Sequence, residues 1–90
     1  MKNSKLKYYL GEVKEHNGEY EYNHRYLFKT TGNPKEYATK IARDWYGEDS
    51  NRVKEDDGFW HNGEILTRAG KYKKIPQAHY KIMKQHLLVL

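Results

Sequence analysis

The stretch Glu19-Tyr20-Glu21-Tyr22-Asn23-His24-Arg25-Tyr26-Leu27-Phe28-Lys29 carries Tyr, Tyr, His, Tyr and Phe at its even positions. Its odd positions are mostly charged or amide-bearing. Successive side chains of a strand point to opposite faces, so the pattern reads as a strand with one aromatic face and one wet face. We read it as the central strand of a small antiparallel sheet whose rings the rest of the chain must cover.

Upstream, Lys5 to Lys14 reads as a partner strand with Leu6, Tyr8 and Leu10 on one face. Gly11 suits a bulge that carries Val13 to the same side. His16-Asn17-Gly18-Glu19 joins the two strands, and Asn-Gly is the strongest short hairpin signal because both central positions of a type I′ turn need positive φ. Downstream, Thr30-Thr31-Gly32 closes the aromatic strand and Asn33-Pro34-Lys35-Glu36 opens a helix. Asn33 serves as the cap, Pro34 occupies the first helical position where no donor is missed, and Glu36 can reach back as in a capping box. Tyr37, Ala38, Ile41, Ala42 and Trp45 follow at helical spacing as one apolar stripe, set to roof the rings at 20, 22, 26 and 28, and Gly47 ends the helix.

Residues 48–58 read as a polar connection with a short extended piece at Arg52-Val53-Lys54. A second hairpin follows, Phe59-Trp60-His61 and Glu64-Ile65-Leu66-Thr67 around Asn62-Gly63. Gly70 breaks or bends the outgoing strand, which resumes through Tyr72 to Ile75. Pro76 starts a last helix with Tyr80, Met83 and Leu87 on its apolar face. The expected fold class is therefore α+β: a small two-layer sandwich, an antiparallel sheet from two hairpins with helices packed on it, in the order ββαββα. Ninety residues point to a single domain over 1–90.

Composition removes several functions. The chain has no cysteine, which excludes disulfides and thiolate zinc sites. No apolar core follows the basic Met1-Lys2-Asn3-Ser4-Lys5, and the apolar runs are far too short to span a bilayer, so a cytoplasmic protein without membrane contact is expected. His79 and His86 stand two helical turns apart, about 10 Å, too far to share one ion. His24 reads as an interior imidazole among tyrosines. Glu55-Asp56-Asp57, with Glu48 and Asp49 nearby, lacks calcium-loop spacing and reads as a solvated connection ending in an Asp57-Gly58 turn. Ser50 has no nucleophile setting, and the seven glycines mark turns rather than a phosphate cradle. The expectation is a protein that is not an enzyme and has no metal or cofactor.

Charge is the remaining signal. Residues 1–64 hold eleven Lys/Arg against twelve Asp/Glu, while residues 65–90 hold six Lys/Arg and no acid. Arg68, Lys71, Lys73 and Lys74 can track a phosphate backbone, Lys81 and Lys84 share a helix face, and Tyr72 and Tyr80 interleave for base stacking. The rival reading is a protein-binding module anchored on Phe59 and Trp60, beside the second tight turn. Small charged chains without catalytic residues often act by occluding or bridging a larger partner, accessory or inhibitor proteins of phages and plasmids among them. The sequence alone leans to a protein partner, with nucleic acid as the alternative, and is compatible with a monomer or an edge-paired homodimer.

Overall fold

The computed structural model describes residues 5–47, 50–53 and 57–90. Strands β1 (Lys7–Asn17) and β2 (Tyr20–Thr30) form a long hairpin. It is followed by α1 (Pro34–Arg43), β3 (Ser50–Val53), β4 (Gly58–His61) and β5 (Ile65–Ala69). The chain ends with β6 (Lys73–Ile75), α2 (Gln77–Met83) and β7 (Leu88–Val89). Among the described residues seven strands make one sheet in the order β3-β4-β5-β1-β2-β7, with β6 also paired to β1. All pairings are antiparallel except that of β7 with β2. The mixed α/β class, both hairpins and both helices agree with the sequence pattern. The order ββαββα lacks β3, β6 and β7 as separate strands. Of these, β7 had no forewarning, because two residues carry no periodicity.

The first hairpin departs from expectation at two glycines. β1 and β2 pair without interruption from Lys7↔Thr30 to Asn17↔Tyr20, so Gly11 is not a bulge. Gly11 instead makes room for the hydroxyl end of the Tyr26 ring: a Cβ there would stand 2.7 Å from Tyr26 Cζ and 2.8 Å from its hydroxyl oxygen. The turn is centred on Gly18-Glu19, because Asn17 remains in the strand and only Gly18 has positive φ, +64°. A Gly in the first central position with a non-glycine of negative φ after it is the type II′ arrangement. The second hairpin does place positive φ on both Asn62 (54°) and Gly63 (72°).

The larger correction concerns layers. Tyr9 and Val13 of β1, with Tyr26 and Phe28 of β2, Ala42 and Phe59, build one core under α1. Tyr8 and Leu10 point the other way, and with Leu27, Ile75, Tyr80, Met83 and Leu87 they build a second core under α2. Since β1 is apolar on both faces at this end, each face needs its own cover. The helices therefore lie on opposite sides of the sheet, giving three layers where two were expected.

Helix α1 begins as expected. Asn33 Oδ1 accepts from the Lys35 backbone N–H at 2.9 Å, and Pro34 is the first helical residue. Its ring Tyr37 stacks on Phe28 at 4.9 Å, and Trp45, in the turn after the helix, lies 6.3 Å from Tyr26. The roof stops there: Tyr20 and Tyr22 are 65% and 46% exposed. A ten-residue helix is about 15 Å long, whereas an eleven-residue strand runs about 36 Å, so α1 cannot reach the hairpin tip.

On the other side of β1, β5 and β6 form one broken line. Val13 pairs with Ala69 and Leu10 with Lys73, so Gly11 and Glu12 are opposed by three residues, Gly70 to Tyr72. This is a β-bulge, closed by the Gly70 N–H donating to the Glu12 carbonyl at 2.7 Å. The bend expected at Gly70 is there, with the consequence that Lys71 and Tyr72 bow out of the sheet edge. Helix α2 takes Pro76 as its cap residue rather than its first turn. The extended piece expected at 52–54 is β3 as far as Val53. Lys54, with Glu48, Asp49, Glu55 and Asp56 of the acidic connection, lies outside the described residues. Asp57 is exposed with φ +49°, as a turn requires.

Candidate nucleic-acid interface

The short helix α2 covers only one end of its face of the sheet. On the remainder, pairing brings side chains into rows across β5, β1 and β2, because directly opposed residues share a face. Leu66, His16 and Glu21 make one row, Arg68, Lys14 and Asn23 the next, then Glu12 and Arg25 beside the bulge, and Lys73 next to Leu10. Trp60 extends the first row on β4. Lys14, Arg25, Lys71 and Lys73 are exposed and Arg68 is half-buried. Among the described residues none of these five cations forms an ion pair.

Glu12 and Glu21 share the open face, with Glu64 at its rim beside Trp60. Glu21 Oε1 is taken up by His16 Nε2 at 2.8 Å, and Glu12 lies against the bulge, within 3.0 Å of where a Gly70 side chain would start. Lys14 therefore stands directly opposite Arg68 with no acid between them. Like charges facing each other on a sheet are unfavourable. Hollows flank this pair. One of about 360 Å³ is bordered by Trp60, Arg68, His16 and Glu64, and one of about 380 Å³ by Arg25, Lys71, Tyr72, Lys73 and Glu12. The face is thus a run of cations with the Trp60 ring at one end.

The residues singled out from sequence are divided by this geometry. Arg68 and Lys73 come together on the open face with Lys71 at its edge, whereas the Tyr72 ring turns toward the α1 side, edge-on to Tyr9 at 6.1 Å. Lys74 pairs with Tyr9 and so sits on the α1 side. Tyr80 is buried, its ring 4.8 Å from Tyr8, so it is a core residue and has no surface on which to stack a base. Lys81 and Lys84 are exposed on α2 and at its C-cap. Phe59 is in the α1 core with the Arg52 guanidinium 5.3 Å from its ring centre, which removes it as a surface anchor. Trp60, on the opposite face, is half-buried. Lys14, His16 and Arg25 were not singled out, because the near-neutral balance of residues 1–64 hides them. Their alternation on the wet faces of β1 and β2 was the available signal.

The opposite face holds a polar cluster at the end α1 leaves bare. The Glu15 carboxylate is buried, and its Oε1 accepts from His24 Nε2 at 2.7 Å and from the Tyr46 hydroxyl at 2.5 Å. Burial pushes the Glu15 carboxyl up, but the hydrogen bonds from Tyr46 and His24 outweigh it and hold it below the usual range. The same bond, with burial, pushes the Tyr46 phenol up to about 12. Beside it the Thr67 hydroxyl donates to the Ala42 carbonyl at 2.7 Å, so His61 Nε2–H must be the donor in its 2.9 Å bond to Thr67 Oγ1. Burial keeps His61 below its ordinary range despite the pull of Glu15. The cluster is satisfied internally and ties β1, β2, β5 and the end of α1 together. Among the described residues no group of three or more ligand-type side chains is placed to hold a metal ion, and no helix is long and apolar enough to cross a membrane.

No family model, no curated protein and no solved structure matches this chain.

Proposed function

We propose that this protein binds nucleic acid across the open face of the sheet, single strands foremost. The observation that carries the reading is the Lys14–Arg68 pair, with Arg25, Lys71 and Lys73 in the rows beside it. A fold gains nothing by opposing two cations, and a local rule broken on an exposed surface is where function is expected. A phosphate backbone supplies the missing negative charge, and Trp60 supplies a π-face for an unpaired base. The reading is of a binder, not a catalyst. Capture of a protein partner is the second reading, favoured by the exposed Tyr20, Tyr22 and Tyr46 on the other face.

The test is titration of a fluorescent oligothymidylate against the protein at several salt concentrations. Five phosphate contacts on a single strand give a log–log slope of about −3.5, so affinity falls about a hundredfold from roughly 50 to 200 mM salt. Lys14→Glu and Arg68→Glu should each weaken binding and flatten that slope, while Lys74→Glu, on the α1 side, should leave both unchanged. Absence of binding at the lowest salt, or equal losses from Lys74→Glu and Lys14→Glu, would sink the proposal.

A further inference from the structure

The outer edge of β2 carries a second assignment. β1 pairs with β2 along its whole length, but β7 covers the other edge only at Tyr26 and Leu27. Residues 20–25 are thus an open edge among the described residues. The Leu90 N–H donates to the Leu27 carbonyl at 2.8 Å, so Leu27 directs its backbone groups outward. Outward-directed residues alternate along a strand, which makes Glu21, Asn23 and Arg25 the ones with N–H and C=O groups to offer. On the α1 side of this edge Tyr20 and Tyr22 lie with their rings 6.4 Å apart.

We propose that this edge pairs antiparallel with the same edge of a second copy, about a two-fold axis passing through Tyr22. The register follows from what borders the edge. Centring on Glu21 sets that carboxylate against its own copy, and like charges directly opposed are unfavourable. Centring on Asn23 drives the hairpin tip at Glu19 into the second copy's β7. Centring on Tyr22 avoids both. It matches Glu21 with Asn23 in hydrogen-bonded pairs, Tyr20 with His24, Tyr22 with itself, and Glu19 with Arg25, so both charged ends meet their opposites. The axis stands perpendicular to the sheet, so the two open cationic faces come to lie on the same side of one continuous sheet. The dimer does not depend on the nucleic-acid reading and is tested without it.

The protein, stripped of nucleic acid by nuclease and high-salt washing, is examined by sedimentation over a wide concentration range. Rising concentration should double its mass. Asn23→Pro should hold it at the monomer mass with unchanged circular dichroism, since the lost N–H points away from β1 and proline is tolerated on an edge. Arg25→Glu should weaken the dimer several-fold, and the swap Glu19→Arg with Arg25→Glu should restore it. The chain has no cysteine of its own, so Tyr22→Cys isolates the axis. In a non-hydrogen-bonded pair the two Cα atoms lie about 4.5 Å apart, within disulfide reach, and oxidation should give a covalent dimer. Asn23→Cys, offset from its own copy by two positions, should not. A monomer at every concentration overturns the proposal, and so does a dimer in which Tyr22→Cys fails to cross-link.

Discussion

The opposed cations Lys14 and Arg68 make a stability prediction that can be read without any ligand. Lys14 and Arg68 face each other across β1 and β5, and directly opposed long side chains on a sheet put their charged heads on the order of 7 Å apart in water. At that distance two unit charges interact by roughly 0.6 kcal/mol. Single substitutions also disturb Glu12, Glu21 and Arg25 in the neighbouring rows, so the clean quantity is the coupling in a double-mutant cycle. Lys14→Glu and Arg68→Glu each turn the repulsion into attraction, and the double variant restores a like-charged pair. The interaction thus enters the cycle four times, for a coupling of about 2.4 kcal/mol at low ionic strength. For a chain of this size 1 kcal/mol moves the melting point by about 5 °C. Thermal unfolding of the four proteins should therefore show the single variants holding up better than the double. At about 1 M salt, where the screening length is about 3 Å, the coupling should vanish. A coupling under about 0.3 kcal/mol at low salt would mean that the side chains fan apart, and the case for a face kept charged against the fold's own interest would lapse.

Two other outcomes follow from the cores. Gly11→Ala should destabilise by about 1–3 kcal/mol, because the new methyl meets the Tyr26 ring at 2.7 Å and that ring is fully buried; a urea midpoint matching the parent would refute the account of that glycine. Acid should unfold the protein in two stages. His61 is held neutral in the fold below its ordinary 6.5, so the stability it contributes is full above about 6.5 and drains as pH falls and the unfolded chain takes up the proton. Glu15 is held below its ordinary 4.5, so its contribution is full above that value and is lost as pH falls through the lower folded value. Urea unfolding across the acid range should lose the upper stage in His61→Gln and the lower stage in Glu15→Gln, and an unchanged profile in either variant contradicts the assignment.

Local signals were legible in the sequence because their physics spans only a few residues. Asn33-Pro34 starts α1 through a cap and a fixed φ, and Tyr37, Ile41 and Trp45 share a stripe because they are spaced at a helical period. The alternation that marks β2, and the Asn-Gly that marks both hairpins, work over two to four residues. Of the candidate site, Arg68, Lys71 and Lys73 were legible as charge, but the rings of Tyr72, Tyr80 and Phe59 were not separable from surface rings, since a ring at the right spacing serves a core and a surface equally.

Tertiary structure alone decided the rest. That β1 is apolar on both faces only matters once two helices compete for it, and this put α1 and α2 on opposite sides. The length of α1 against β2 left Tyr20 and Tyr22 outside, and the extra residue at Gly70–Tyr72 set the register of β6. Above all, Lys14 meets Arg68 across more than fifty residues of chain. No periodicity in the sequence reports that meeting, because the register between distant strands is set by the packing of the whole sheet rather than by either strand's own pattern.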